Sequence, residues 1–386
     1  MEKKYIVGID FGFSNTAAWV APISGGIGYA LRTRHGVHAN DKVCLSKVYR
    51  NREGQYSLYL THLPFDSFKD CPEKLYQNPE RKEAFGAFAR LIVLALIEKN
   101  PELEFNPRTK ETNFYIGVAS PNYWSEADRL EYQAFFIRAL EEFRLLPVCN
   151  ISEGLASFCA WGCSNESTLV IDYGPNAICY TLLDHGNMIS DRNWYNSMLG
   201  ASQVEQAILY DFIAKDEDRF YRTMNTIVEE CHRTGNDYSY DDVLAYLIND
   251  IRVEKENVFK HGIWPFMSRM DFSSNMYDRC GGCNSGWSED AWGIMKVGGS
   301  LLEMPSFVNY QAKVKADFEL VKNETEELVG KEGLRRILLT GNGSLMTWVR
   351  PVVIEVFGKT VETSMGNEPA YTVAQGIVRY VQKMRQ

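Results

Sequence analysis

Two carboxylates in this chain stand in the same local setting, and that setting suits phosphate chemistry. Asp10 and Asp172 each follow a short apolar run and lie two residues before a glycine, Gly12 and Gly174 respectively. A strand-end carboxylate beside turn N–H groups suits a magnesium-bound phosphate, because magnesium keeps most of its waters and takes few carboxylates. An ordinary hairpin with an acid in its turn is the alternative for either copy taken alone.

The residues around both acids predict a strand–turn–strand unit that occurs twice. Residues 6–9 predict a buried strand, and residues 15–20 predict a strand that folds back on it. Residues 169–172 and 177–183 repeat the pattern. Two such units about one domain apart predict a duplicated α/β fold whose halves face each other across a cleft. The second copy therefore favours the phosphate site over two unrelated hairpins.

Two further side chains could take part in such a site. Lys69 could act as a point charge on a terminal phosphate, although most lone lysines are solvated. Glu153 begins a predicted helix of small residues that ends at Gly162. An acid at that position can simply offset the helix dipole, so its role depends on where the helix lies.

Glycines elsewhere could bring the backbone close to a ligand. Gly200 precedes Ser202 and Glu205, which predict a capping box at a helix N-terminus where free N–H groups could hold a phosphate. A predicted strand at 336–340 leads into a glycine turn that could approach a flat base or sugar closely. A tight strand-to-helix turn is the alternative for that segment, whose residues are Gly341, Asn342, Gly343 and Ser344.

Composition excludes several classes of protein. The chain has 386 residues, enough for two domains, with 45% hydrophobic and 24% charged residues. Its formal charge of −9 argues against nucleic acid or an anionic membrane as the main partner. The first residues lead directly into a strand, and the apolar region there is too short for a signal peptide, so we expect none. The longest apolar run, 91–97, is far shorter than a membrane span, so we expect a cytoplasmic protein.

The cysteines predict no disulfide framework. Nine cysteines are scattered through strand and helix patterns, as expected of small buried apolar side chains. Cys280 and Cys283 are spaced as half of a zinc site or a redox pair. Because no second pair stands at ligand spacing, a loop turn is the favoured interpretation.

Periodicity and capping residues predict the remaining elements. A capping box at Ser125 and Asp128 predicts the start of a long helix that continues to residue 145. The stretch 262–305 shows no clear period and receives no prediction. The other predicted elements are strands at 43–49, 56–60 and 114–119, and helices at 81–100, 241–260 (charged, mainly a solvated face), 306–327, 345–357 and at the C-terminus.

These signals, taken in chain order, resemble the nucleotide-binding domain of the seventy-kilodalton heat-shock (DnaK-type) chaperones. That family belongs to the actin and sugar-kinase superfamily. The resemblance spans nearly the whole chain and is weakest in the middle of the second half. It rests on Asp10-Phe-Gly-Phe-Ser-Asn-Thr16, Phe65-Asp-Ser-Phe-Lys69, Ser120-Pro-Asn-Tyr-Trp-Ser125, Ser152-Glu153-Gly-Leu-Ala156, Gly341-Asn-Gly-Ser344 and, more weakly, the segment Arg252-Val-Glu-Lys-Glu256-Asn-Val-Phe-Lys260.

The resemblance implies a role for each candidate residue. Asp10 and Asp172 would hold Mg²⁺, Lys69 would be the catalytic lysine, and Glu153 would help to place the attacking water. ATP or ADP would be bound by the phosphate loops, the adenosine turn and an adenine-clasping helix. The binding residues so implied are Gly12, Phe13, Ser14, Asn15, Gly174, Gly200, Glu256, Lys260, Gly341, Asn342, Gly343 and Ser344.

The resemblance also implies an α/β fold of two actin-like lobes around a central nucleotide cleft. Lobe I would take residues 1–165 and lobe II residues 166–365. The core of lobe I would comprise 1–33, 112–165 and a C-terminal helix at 366–386, and its peripheral insert would be 34–111. The core of lobe II would comprise 166–198 and 304–365, and its peripheral insert would be 199–303.

Four departures from the family pattern bear on activity. Where the family has a run of glycines after the second acid, this chain has Pro175, which offers no N–H to a phosphate. Cys179 stands where the family has a second magnesium-ordering carboxylate, and Leu345 stands where it has a stacking arginine. We also expect the family's interdomain linker and substrate-binding domain to be absent, since the sequence ends soon after its last helix.

The resemblance thus implies a nucleotide-binding protein of chaperone type, in which we expect ATP hydrolysis to be slow or absent. A protein partner acting as a co-chaperone or client would accompany that function. A filament-forming actin-like protein and a small-molecule kinase of the same superfamily are the alternatives. Fold alone does not separate the three.

Overall fold

The computed structural model describes residues 1–33, 42–59, 63–65, 68–69, 72–145, 147–233, 304–330, 333–358, 362–365 and 369–385, with scattered positions from 239 to 259. Glu256, Lys260, Cys280 and Cys283 lie outside the described residues, as does nearly all of 262–305. The chain divides into two compact units. The first unit is Met1–Ser197, Val321–Ser344 and Phe357–Gln386, and the second unit is Met198–Leu320 and Leu345–Val356.

The strands fall mostly in the first unit. In chain order they are β1 (Tyr5–Phe11), β2 (Asn15–Pro22), β3 (Tyr29–Ala30), β4 (Val43–Leu45), β5 (Val48–Arg50), β6 (Tyr56–Ser57), β7 (Leu63–Phe65), β8 (Phe105–Asn106), β9 (Glu111–Thr112), β10 (Phe114–Ser120), β11 (Pro147–Ser152), β12 (Thr168–Tyr173), β13 (Ile178–Asp184), β14 (Asn187–Asn196), β15 (Arg336–Thr340) and β16 (Glu362–Met365).

The helices are spread along the whole chain. In chain order the α-helices are α1 (Pro72–Gln77), α2 (Pro79–Lys99), α3 (Glu126–Ala139), α4 (Glu153–Ala160), α5 (Gln203–Lys215), α6 (Glu217–Arg233), α7 (Pro305–Val329), α8 (Val349–Phe357) and α9 (Thr372–Arg385). Short 3₁₀ turns occupy Glu141–Phe143, Asn342–Leu345 and Pro369–Tyr371.

Two mixed sheets in the first unit have the same topology. The first has strand order β3-β2-β1-β10-β11, with β4 added beside β2, and the second has order β14-β13-β12-β15-β16. In each sheet the central strand pairs antiparallel with the strand that follows it and parallel with a strand much later in the chain. The duplication predicted from the two acids is therefore present as two copies of one strand arrangement, in a mixed α/β fold.

The first sheet is covered on both faces, as alternation along β1 requires. Val7 and Ile9 join a core cluster with residues of α2 and α3, whereas Ile6 points to the opposite cluster. That opposite cluster contains Ala156 of α4 and Ile377 of α9. Helix α4 also reaches the second sheet, because Phe158 lies in a cluster with strand residues of β12, β13 and β15.

The second unit contains a buried ion pair that the sequence did not predict. Lys255 Nζ donates to Glu205 Oε1 at 2.7 Å and to Ala201 O at 3.0 Å. Both charged side chains are buried. The predicted capping box is wrong, because Ser202 makes no side-chain capping hydrogen bond and Glu205 turns instead to Lys255. The stretch predicted as a solvated face thus contains a buried lysine.

Most predicted elements are confirmed, but two helices are shorter than expected: the helix predicted at 345–357 begins at Val349, and the one predicted to reach residue 145 ends early. The capping box of Ser125 and Asp128 begins α3 with both reciprocal hydrogen bonds formed. The helix ends at Ala139, however, and a separate 3₁₀ turn follows before Arg144 takes a left-handed φ of 46°. The apolar periodicity continues through this break, which is why the sequence predicts one helix to residue 145.

Candidate functional site

Four charged side chains predicted from separate parts of the sequence come together in the first unit. Lys69 Nζ donates to Glu153 Oε1 at 2.6 Å and lies 3.3 Å from Asp10 Oδ1. Asp172 interacts electrostatically with all three of them. We call these four residues the acidic cluster: three carboxylates surround one ammonium group.

The two aspartates occupy equivalent positions in the duplicated sheets. Asp10 is the penultimate residue of β1 and pairs across the hairpin with Ala17. Asp172 is the penultimate residue of β12 and pairs with Cys179. Most residues of each central strand are buried, so the backbone that carries each carboxylate is held in place by the core.

Lys69 is placed by its neighbour in sequence. Phe68 is buried and stacks on Phe85 of α2, with ring centroids 4.8 Å apart. The hydroxyl of Tyr123 donates to the carbonyl of Lys69 at 3.3 Å. The lysine side chain is 3% exposed, so it is not the solvated lysine of the alternative interpretation.

Glu153 is placed by the first turn of α4. The Ser152 side chain caps this helix by accepting the N–H of Leu155 at 3.3 Å. The N–H of Gly154 is also taken, since it donates to Asn122 Oδ1 at 2.9 Å. The capped first turn points the glutamate toward Lys69 instead of leaving it in solvent, where it would serve only the helix dipole.

Asn122 also connects the two sheets of the first unit. Its Nδ2 donates to the hydroxyl of Thr181 on β13, while its Oδ1 accepts from Gly154. A Cβ at position 154 would collide with both Thr181 Oγ1 and Asn122 Nδ2. Glycine is therefore required at this position by close approach.

Burial and neighbouring negative charges raise the pKa of both aspartates. Burial raises the pKa of Asp10 to about 6, with Lys69 opposing that rise and Glu153 adding to it. Burial, followed by the charges of Glu153 and Asp10, raises the pKa of Asp172 to about 8. Lys69 behaves in the opposite way: burial alone would lower its pKa, but the charges of Glu153 and Asp10 raise it above the ordinary value. The ammonium is therefore permanently charged at neutral pH.

The acidic cluster fits a divalent cation with few protein ligands. Three carboxylates and one ammonium leave two negative charges uncompensated when all are ionised, and this repulsion adds to the effect of burial on the pKa values of the aspartates. Asp10 and Asp172 offer hard oxygen donors, as hydrated Mg²⁺ requires. Over the part of the chain that the structure describes, no group of three or more His, Cys, Asp or Glu forms a ready-made metal cage.

The two hairpin turns beside the aspartates differ. In the first, Gly12, Phe13, Ser14 and Asn15 are all partly exposed at the end of β1. In the second, the N–H of Gly174 donates to Ala177 O at 3.0 Å, and Pro175 has no N–H. The second turn therefore has fewer backbone donors to offer an anion.

The predicted adenosine turn packs directly against the end of β12. Gly341 has a left-handed φ of 74°, and a Cβ there would lie 2.5 Å from Tyr173 O and closer still to Asp172 Oδ1. A Cβ at Gly343 would lie 2.6 Å from the Tyr173 ring. Ser344 closes the 3₁₀ turn that contains Asn342, by donating its N–H and its hydroxyl to Gly341 O at 3.1 and 2.7 Å.

One predicted binding residue belongs to another part of the molecule. Gly200 lies in the second unit, just before α5. Its carbonyl accepts the hydroxyl of Tyr310 at 3.2 Å and the N–H of Gln203 at 2.9 Å.

Sequence reasoning missed several residues of the site. The Tyr132 hydroxyl is buried beside Lys69 and finds no hydrogen-bond partner among the described residues. Tyr123 stacks on Tyr195 with ring centroids 4.2 Å apart. Both Tyr123 and Asn122 lie in the Ser120–Ser125 motif, so the motif marked the right place without identifying these side chains.

Comparison with known proteins identifies no family for the chain. No family model matches it, and a search of curated proteins returns no significant match. Among the described residues, no helix is long and apolar enough to span a membrane.

Proposed function

We propose that the first unit binds an adenine nucleotide with magnesium, in the manner of the DnaK-type nucleotide-binding domain, and that hydrolysis is slow or absent. Asp10 and Asp172 would hold the hydrated ion, and Lys69 would face the terminal phosphate. Gly341 and the turn after it would accept the adenosine.

A single observation carries this proposal. Asp10, Lys69, Glu153 and Asp172 are separated by as many as 162 residues in sequence, yet they form one cluster at equivalent ends of two sheets with the same topology. Ordinary hairpins with an acid in the turn would give no reason for the two acids to share one electrostatic environment.

Magnesium would supply the missing positive charge at this site and polarise a phosphate oxygen. The residues of the chain account for the rest of the binding function. Asp10 and Asp172 supply carboxylate oxygens at the ends of β1 and β12, and the partly exposed first hairpin would offer backbone N–H groups to the phosphate. The raised pKa values of both aspartates predict that cation binding releases protons near neutral pH.

Slow turnover follows from the second hairpin. Phosphoryl transfer depends on positioning and on electrostatic stabilisation of the transferred group, so each lost donor lowers the rate. Pro175 and the engaged N–H of Gly174 remove two donors from this turn. Cys179 places a neutral thiol where the resemblance implies a carboxylate. Binding depends on fewer of these groups than catalysis does, and it survives their loss.

Titration calorimetry with ATP and ADP, with and without magnesium, tests the proposal. We expect binding of both nucleotides, strengthened by magnesium, with an observed binding enthalpy that changes with the ionisation enthalpy of the buffer because protons are released. Asp10→Asn should weaken ATP binding in magnesium much more than it weakens adenosine binding. Equal losses for both ligands would show that Asp10 does not hold the ion.

A matched control variant distinguishes loss of a carboxylate at the site from loss of a carboxylate elsewhere. Glu131→Gln removes an exposed carboxylate from α3, 3.9 Å from Lys82 and outside the acidic cluster. This variant should bind ATP as the wild type does. Absence of any nucleotide binding by the wild-type protein would overturn the proposal as a whole.

A further inference from the structure

The C-terminal end of α4 brings two cysteines into contact. Cys163 donates its thiol to Cys159 Sγ, with the two sulfur atoms 3.4 Å apart. Cys159 is buried and Cys163 is partly exposed, and both are free thiols. A disulfide has sulfur atoms about 2.05 Å apart, so closure requires an approach of roughly 1.4 Å.

A tight reversal of the chain creates this contact. The helix ends at Ala160 with Trp161 as its C-cap, and Gly162 and Cys163 both adopt left-handed φ values, 97° and 50°. The N–H of Gly162 donates back to Cys159 O at 3.1 Å. Non-glycine residues in this region are uncommon, and here the left-handed conformation turns Cys163 back onto the last turn of the helix.

The surroundings assign different roles to the two thiols. Burial, followed by the neighbouring Cys163, raises the pKa of Cys159, although the charges of Lys383 and Arg379 on α9 oppose that rise. Cys163 lies at the edge of the apolar cluster around Phe158, where small molecules can reach it. Cys163 is therefore the sulfur that an oxidant meets first. Cys159 is the sulfur positioned to attack Cys163 and displace the small thiol bound to it.

We propose that Cys159 and Cys163 are a modification site, a dithiol that a low-molecular-weight disulfide of the glutathione type converts to an intramolecular disulfide. The Cys163 thiolate attacks one sulfur of the small disulfide, a mixed disulfide forms, and one small thiolate leaves. The Cys159 thiolate then attacks Cys163 Sγ and releases the second small thiolate. Two electrons pass to the small disulfide, and its two thiolates take up the two protons lost by the cysteines.

Mass spectrometry of the reduced full-length chain tests this proposal without any nucleotide. The protein is treated with oxidised glutathione, blocked with N-ethylmaleimide and cut after glutamate. The fragment 154–166 then contains Cys159, Cys163 and no other cysteine. We expect this fragment to lose two hydrogen atoms, to carry no maleimide, and to regain both hydrogens with dithiothreitol. A fragment that carries two maleimides, or a glutathione that never resolves, would overturn the proposal.

Two variants make the order of attack visible. Cys159→Ser removes the displacing thiol, so glutathione should accumulate on Cys163. Cys149→Ser, at another buried thiol, should leave the disulfide unchanged. A folded Cys159→Ser protein that gains no glutathione would show that Cys163 is not the attacking sulfur. The pair lies at the opposite end of α4 from Glu153, so these results are independent of nucleotide binding.

Discussion

Asp172 and Cys179 are direct partners across the hairpin of β12 and β13, where the first hairpin pairs Asp10 with Ala17. Burial, followed by the charges of Asp172 and Glu153, raises the pKa of the Cys179 thiol well above its ordinary value. The thiol is therefore protonated at neutral pH. It adds no negative charge to the acidic cluster and gives no hard oxygen to the water shell of a magnesium ion.

Cys179→Asp should tighten magnesium binding and weaken the metal-free fold. The new carboxylate can order the waters of a bound ion, and groups of that kind change metal affinity by about 10–100-fold. Without metal, a fourth acid repels the three already present. Calorimetry with magnesium and ATP, together with denaturant unfolding, measures both effects. Cys179→Ser is the control of similar size and should change neither; a Cys179→Asp protein with unaltered metal affinity would contradict the assigned position.

Lys69→Met should destabilise the protein strongly at neutral pH. Removing one partner of a buried ion pair leaves the remaining charges uncompensated and typically costs about 3–5 kcal/mol of unfolding free energy. The loss should shrink at pH 5, where Asp10 takes up a proton, whereas Asp172 is already mostly protonated at neutral pH. Urea unfolding at both pH values measures the difference. Lys315→Met removes an exposed partner of Glu355 and should have no measurable effect.

The pH dependence of the unfolding free energy should report the ionisation of Asp172. Its pKa is raised to about 8 in the folded protein, against about 3.9 in an unfolded chain, so the folded state binds this proton more tightly. The resulting stabilisation is complete below about pH 4 and is lost as pH rises through about 8. Asp172→Asn should therefore gain about 1–3 kcal/mol relative to wild type between pH 5 and pH 9, allowing for partial exposure.

Denaturant midpoints in a metal-free buffer series measure that gain. Asp184→Asn, on the same hairpin but 41% exposed and outside the acidic cluster, is the control for loss of a carboxylate. A difference between wild type and Asp172→Asn that stays constant across the series would mean that Asp172 ionises normally.

Gly341→Ala should destabilise the fold more than a second glycine replacement of matched backbone geometry. Gly330 has a φ of 80° with no atom near its missing Cβ, whereas Gly341 has a φ of 74° and Asp172 and Tyr173 in the way. Gly330→Ala should cost about 1 kcal/mol from backbone strain, and Gly341→Ala about 1–3 kcal/mol more. Unfolding free energies measure both. Nucleotide binding should fall for the residue 341 variant alone, and an equal loss in both would remove the turn from the proposed site.

Much of the sheet structure could be predicted because its local signals agree. The strands around Asp10 and Asp172 have apolar residues bounded by glycine turns, and α3 has a complete capping box at Ser125. The end of α3 could not be predicted in the same way. Its apolar period continues past Ala139, and the chain breaks there through the left-handed Arg144, for which the sequence gives no signal.

The candidate site could be predicted only in part, because repetition marks some of its residues and not others. Asp10 and Asp172 were marked by repetition, but Lys69 looked like any surface lysine. Its burial depends on Phe68 packing against Phe85 and on contacts with Asp10 and Glu153, which lie 59 and 84 residues away in the chain. The bridge from Asn122 to Thr181 likewise exists once the two sheets are assembled. Such contacts have no local pattern to reveal them.

The duplicated sheets also determine where this chain can change its length. In both copies a long connection follows the third strand. In the first copy it comprises residues 31–113, between β3 and β10, and in the second residues 197–335, between β14 and β15. The first connection supplies Lys69 to the acidic cluster, whereas the second supplies none of its four members. A change in the first connection must therefore preserve the approach of Phe68 and Lys69 if the acidic cluster is to keep its ammonium group, whereas a change in the second connection removes none of the four charges.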